Sequence, residues 1–334
     1  STDFQRLRQS MLDGEWDKPG CDNCRTKEEL GVKSQRQNWL GANLKSKFNF
    51  DGDVFDNPQL TGNTIRHLFL NFNNVCNFKC RMCSPRYSNS LIPEFRQLNK
   101  EVKNIKFESE KYKNINNVVT FIEANKHNLK DVTSIWITGG EPFIDNTIWK
   151  VMDILNEYAD PSKIHMTITT NGSRTTIEDV DKFRNFKKIH WDLSVDTIGP
   201  LFDYMRSAGI YTWNQMDGFV NDLSRYIKDN SSWLLVSLNS SYQIYNAHKL
   251  DEFFEYIYDN FTENHSINNR VLVGPRWFQA RHAPSSIKEI ANKNISELLQ
   301  KSWLSDSDIG MANDCLKMLN KERIEDDWEV FVKQ

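Results

Sequence analysis

Six short apolar runs constrain this chain more than any other feature: "IRHLFLNF" (65–72), "SIWITGG" (134–140), "IHMTITTN" (164–171), "IHWDLSVD" (189–196), "WLLVSLNS" (233–240) and "RVLVGPRW" (270–277). Each has the length and the β-branched or aromatic content of a strand. Between them lie stretches such as "TIWKVMDILNEYA" (147–159), "TIEDVDKFRNF" (176–186), "NQMDGFVNDLSRYI" (214–227) and "KLDEFFEYIYDN" (249–260), whose apolar residues recur at three and four. That spacing is helical. Strand and helix in alternation predict an α/β protein with a parallel sheet covered by helices, closed or partly closed into a barrel. Three segments follow: an N-terminal extension (1–62), a core (63–285) and a C-terminal helical segment (286–334).

The 334 residues suffice for a large core, and 39% hydrophobic with 26% charged residues is ordinary for a globular protein. Charges of both signs are interspersed and leave a net −3, so no global field selects nucleic acid as a partner. No apolar stretch approaches the ~20 residues of a membrane-spanning helix, and "STDFQRLRQS" is too polar for a secretory signal. A cytoplasmic protein is expected. Leu7 and Met11, four apart, open the chain inside a helical pattern, which suggests residues upstream.

Three of the six cysteines fall within eight positions, in "NNVCNFKCRMCSPRYSNS" (73–90). A closed zinc site needs four ligands, and no fourth Cys or His lies near Cys83; the nearest histidine, His67, is inside a strand-like run. Cys76, Cys80 and Cys83 suit three corners of a [4Fe–4S] cube, whose fourth iron then lacks a protein ligand. The triad follows the first strand. In barrels of this kind the working groups gather at the strands' C-terminal ends, and the other ends are equipped too. "TGGEPF" (138–143) brings Gly139, Gly140, Glu141 and Pro142; "TTNGS" (169–173), "SVDT" (194–197) and "SLNSS" (237–241) follow. Each alone reads as a turn; their order behind C-x₃-C-x₂-C does not.

Cys76, Cys80 and Cys83, the "GGEP" of 139–142, the "TNG" of 170–172 and the "SVD" of 194–196 together resemble the radical S-adenosylmethionine (SAM) superfamily over about residues 65 to 280. The resemblance implies a partial (β/α)₆ barrel in which the three cysteines bind a [4Fe–4S] cluster and SAM chelates its open iron. Reductive cleavage of SAM would give a 5′-deoxyadenosyl radical that takes hydrogen from substrate. Met82 stands where the family often has an aromatic, next to the expected adenine. Cofactor-binding roles are implied for Gly139, Gly140, Glu141, Pro142, Asn171, Ser194, Asp196 and Arg206. Glu141 would accept a hydrogen bond from the SAM amino group, with Ser194 and Asn171 near ribose or carboxylate. Arg206 would grip the SAM carboxylate or remain an exposed helix arginine. Asp196 would bind ribose or substrate, or cap a turn.

The N-terminal pair Cys21 and Cys24, in "LRQSMLDGEWDKPGCDNCRTKEELGVKSQR" (7–36), looks like the segment preceding the barrel in the twitch or SPASM-like branch, where cysteines hold an auxiliary iron–sulfur cluster. No cysteine precedes Cys21 here, so the pair is half of a site, a partial site completed by Cys315, a zinc half-site or a redox pair. Branch relatives act on peptides, proteins or small metabolites and take electrons from a flavodoxin or ferredoxin. Tyr211, Trp213, Trp277 and Phe278 line a cavity or belong to the core, and Arg276, Arg281 and His282 grip an anion or sit in a solvated loop. The alternative class is a metal-stabilised scaffold without turnover.

Overall fold

The structure, a computed structural model, describes residues 15, 22–34, 37, 66–101, 118–230, 232–261 and 265–333. Six strands, β1 (His67–Asn71), β2 (Ser134–Thr138), β3 (His165–Thr170), β4 (Lys188–Ser194), β5 (Leu234–Tyr242) and β6 (His265–Val271), form one parallel sheet in sequence order. No β6–β1 pairing closes it among the described residues, so the barrel is partial.

Strand periodicity explains the layering. One face carries Leu68 and Leu70, Ile135 and Ile137, Met166 and Ile168, Ile189, Trp191 and Leu193, then Leu234, Val236 and Leu238, all buried. Each side chain taken from water contributes roughly 1.5–3 kcal/mol. The helices are α1 (Asp22–Glu29), α2 (Ile92–Glu101), α3 (Val118–Asn125), α4 (Thr147–Tyr158), α5 (Ile177–Asp181), α6 (Trp213–Asn230), α7 (Leu250–Asn260), α8 (Ser285–Leu298), α9 (Asp306–Leu319) and α10 (Glu325–Lys333), and α3 to α9 pack residues into the core on this face. The buried stripe of α6, Met216, Phe219, Val220, Leu223 and Ile227, follows the three-four spacing. Ala291, Ile295 and Leu298 of α8, with Ala312, Cys315 and Met318 of α9, join the same core. The C-terminal helices are thus a layer of the fold.

Two boundaries differ from the sequence reading. The last strand runs from His265 to Val271, not 270–277, because "HSINNRV" is too polar to read as a strand. Its core-facing Asn269 donates to Cys315 Sγ at 3.0 Å. The helix expected over 176–186 ends at Asp181, after a capping box between Thr176 and Asp179. The helical pattern around Leu7 lies outside the described residues. Among the described residues no helix is long and apolar enough to cross a membrane.

Candidate functional site

The opposite, inner face of the sheet is polar. Trp136 Nε1 donates to Thr169 Oγ1 at 3.0 Å, and Thr169 donates to Asp192 Oδ2 at 3.0 Å. Asp192 Oδ1 lies 3.9 Å from His190 Nε2, which bonds Ser237 Oγ, itself bonded to Ser266 Oγ. Five strands thereby share one polar wall. Above it a cavity of about 570 Å³ opens at the strands' C-terminal ends.

Cys76, Cys80 and Cys83 line that cavity with Gly139, Gly140, Asn171, Ser194, Asp196 and Arg206. The cysteine loop is held from behind: Ser88 donates to the Phe78 carbonyl at 2.7 Å, Ser90 to the Cys76 carbonyl at 2.6 Å, and Asn74 to the Pro85 carbonyl at 2.8 Å. Burial raises all three thiol pKa values, Cys83 to about 11. Two donors face Cys76 Sγ, the Phe78 N–H at 3.4 Å and the Asn171 amide at 3.8 Å.

The two glycines exist for contact. Gly140 donates to the Asn73 carbonyl at 2.7 Å and Glu141 N–H to the Val75 carbonyl at 2.8 Å, so the end of β2 is zipped onto the segment entering the cysteine loop. A Cβ on Gly140 would lie 2.1 Å from the Val75 oxygen, and one on Gly139, whose φ is +142°, 2.8 Å from that of Asn73. Only glycine fits.

Glu141 is held by donors from within the protein. Its carboxylate turns into the protein: Oε1 accepts from Thr170 Oγ1 at 2.7 Å and Phe143 N–H at 3.1 Å, and Oε2 from Asn171 N–H at 2.6 Å. Burial raises its pKa against these bonds. Neither Glu141 nor Pro142 lines the cavity. Arg206 is no exposed helix arginine, since its side chain is 11% exposed and pairs with Asp196. Arg206 Nε is buried without a partner. Asp196 adopts φ 66°, rare outside glycine, and is over-determined: its carboxylate accepts from Ser241 N–H at 2.6 Å, and its carbonyl from Ser240 at 2.9 Å and Asn246 at 2.8 Å.

Several expected residues fall elsewhere. Phe278 is buried in a second cluster with Ile244 and Ala283, against which Trp277 packs. Trp213 packs on Phe202 and Tyr256, and Tyr211 on Phe78. None of these four aromatics lines the cavity. His282 is fully buried, and Arg276 pairs with Asp327 of α10 at 3.1 Å, so this segment anchors a helix and is no solvated loop. Cys315, one of the alternatives for completing the Cys21–Cys24 site, is fully buried in the core with Asn269 donating to its Sγ. Cys24 is half-buried on α1, and Cys21 lies outside the described residues. Thr138, Thr169 and Ser241, quoted in the sequence only within the strand-end motifs and not singled out, also line the cavity from the inner register of β2, β3 and β5.

Three thiols line one cavity, and a [4Fe–4S] cube takes thiolates at separate corners, so the residues present fit such a cluster.

The family model for the radical SAM superfamily matches residues 70–256, more than half the chain, and the chain belongs to this superfamily of enzymes. The family implies a [4Fe–4S] cluster and SAM as cofactors. Among solved structures, anSMEcpe with bound AdoMet and Cp18Cys peptide is similar at 14% identity over 70% of this chain and 58% of that one, with a TM-score of 0.45. Streptococcus suis SuiB bound to precursor peptide SuiA is similar at 18% identity over 70% and 47%, TM-score 0.39. The methyltransferase TsrM from Kitasatospora setae is similar at 13% identity over 61% and 36%, TM-score 0.38. The chain thus spans less than two thirds of each of these proteins. Comparison with curated proteins found no match.

Proposed function

We propose that Cys76, Cys80 and Cys83 ligate a [4Fe–4S] cluster and that the same cavity binds SAM, which the enzyme cleaves reductively to act on a peptide, protein or small-metabolite substrate. The observation that supports this most is the convergence of the three thiols with the ends of β2, β3 and β4 on one cavity. When bound and reduced, the cluster supplies one electron to the sulfonium, releasing a 5′-deoxyadenosyl radical that takes a hydrogen atom from substrate.

The chain's own residues bind, orient and exclude water. Gly139 and Gly140 bring bare backbone to the cavity wall, where SAM can approach it closely. Arg206 has a free Nε and a charge held in place by Asp196, which suits a carboxylate. Ser194 and Asn171 offer polar groups for the rest of SAM, and Met82 offers a polarisable surface to adenine. The Phe78 and Asn171 donors favour the thiolate form of Cys76.

Segment 1–62 is read as a twitch or SPASM-like extension, 63–285 as the core and 286–334 as its C-terminal helical cover. Cys21 and Cys24 offer two thiolates, fewer than a cluster's set, so this chain is expected to hold one tightly bound cluster. The reductant is an external protein such as flavodoxin or ferredoxin. Anaerobic reconstitution, iron and sulfide counts and dithionite-driven formation of 5′-deoxyadenosine test the reading. About four irons per chain are expected, retained in a Cys21→Ala/Cys24→Ala double variant and lost with SAM cleavage in Cys80→Ala. Full iron and undiminished 5′-deoxyadenosine in Cys80→Ala would sink it.

A further inference from the structure

Three cations gather around the start of α8 with no ion-pair partner among the described residues: Arg281, Lys288 and Arg323. Arg281 is 8% exposed, and its Nε is buried without a hydrogen-bond partner. Arg323 Nη2 donates to the carbonyls of His282 at 3.4 Å and Ala283 at 3.3 Å, which brings it to the chain leading from Arg281 into α8. Its guanidinium lies 4.4 Å over the Trp328 ring, a contact that orients the group and leaves its charge uncancelled. Lys288 is half-buried in the first turn of α8 and donates to the Lys321 carbonyl at 3.4 Å. Burial lowers its pKa, and the charges of Arg323 and Arg281 lower it further, so the three groups stand together.

The neighbouring carboxylates do not cancel them. Asp327 is buried, but it pairs with Arg276 at 3.1 Å and faces His282 at 3.9 Å. Its charge reaches Arg281, where that of Arg276 opposes it. Glu289, Glu322, Glu325 and Asp326 are exposed, and none forms an ion pair with Arg281, Lys288 or Arg323 among the described residues. The helix adds polarity of its own. α8 has 14 residues and begins after Pro284, which offers no side-chain cap, so its first-turn N–H groups lack intrahelical acceptors. Such an end attracts an anion. Arg281 is the independent sign of one, because a guanidinium taken out of water without a counter-charge is costly until an anion compensates it.

We propose that the N-terminus of α8, with Arg281, Lys288 and Arg323, binds a phosphate group. None of the three residues lines the cavity, so the site is separate from the one proposed for the cluster and SAM. Its donors select the ligand. Two guanidiniums offer paired N–H groups to tetrahedral oxygens, Lys288 adds a point charge, and the helix end adds backbone donors. Three positive charges suit a doubly charged phosphate better than a singly charged carboxylate.

The test titrates the full reconstituted chain with inorganic phosphate, by calorimetry in a phosphate-free buffer of low ionic strength. Saturable binding is expected, weakened at least about tenfold in Arg281→Gln and in Lys288→Gln and unchanged in Lys228→Gln, an exposed position on α6. Acetate should bind at least about tenfold more weakly than phosphate. Phosphate should also raise the thermal midpoint of the wild type and of Lys228→Gln, with the rise lost in Arg281→Gln. Should Arg281→Gln fail to fold, Lys288→Gln at its half-buried position decides the question alone. Glycerol phosphate separates the sources: tighter binding than inorganic phosphate assigns the site to a phosphorylated ligand, equal or weaker binding assigns it to the free ion, and either upholds the site. Absence of saturable binding by the wild type would overturn the proposal. So would wild-type affinity in the folded variants, or acetate binding as tightly as phosphate.

Discussion

Glu141 Oε2 accepts the backbone N–H of Asn171 at 2.6 Å, joining the end of β2 to the end of β3 directly beneath the cavity. With Thr170 and Phe143 on Oε1, this buried carboxylate receives three donors and presents none. Glu141→Gln places an N–H₂ among those donors. Its expected cost is a loss of about 1.5–3 kcal/mol of folding stability, measured by denaturant titration, with weaker SAM binding only as a consequence. Full stability with selectively weakened SAM binding would return Glu141 to the cavity.

Gly140 faces the Val75 carbonyl so closely that Gly140→Ala cannot be accommodated without moving one chain segment from the other. The expected loss exceeds about 4 kcal/mol, visible as lost soluble yield or a collapsed thermal midpoint. Gly310→Ala, where nothing lies within 4 Å of the added methyl, is the control and should be neutral or stabilising.

Arg206 and Asp196 form a buried ion pair at the cavity wall. Arg206→Lys keeps the charge but loses the planar fork. SAM affinity by calorimetry should fall roughly tenfold with the fold retained, about 1.4 kcal/mol. Arg206→Ala, which leaves Asp196 buried and unpaired, should cost about 3–5 kcal/mol of stability.

His282 is buried beside Arg281 and Arg323, with Asp327 Oδ2 3.9 Å away. Burial lowers its pKa from 6.5 to about 4; Asp327 opposes that shift and the two arginines reinforce it. The fold therefore holds the neutral ring, and between these values the unfolded chain binds the extra proton. Stability contributed by the neutral ring is complete above pH 6.5 and is lost as pH falls toward about 4. His282→Asn should flatten the slope of unfolding free energy in that window. An unchanged slope would mean that other groups carry it.

The sequence by itself determined the strand-helix alternation, the triad and the identity of the polar residues at the strand ends, because side-chain periodicity and fixed ligand spacing are local properties. Asn171, Ser194 and Asp196 stand in the strand-end motifs that carry the superfamily resemblance, and with Arg206 they line one cavity. The tertiary structure decided which way each one faces. Glu141 turned inward because Thr170 and Asn171, some thirty residues away, present donors to it. Trp277 and Phe278 went to a core shared with α10, and Cys315 to one shared with Asn269, since burial depends on partners distant in sequence. The last strand was misplaced for the same reason: its ladder with β5, rather than its own polar residues, makes it a strand.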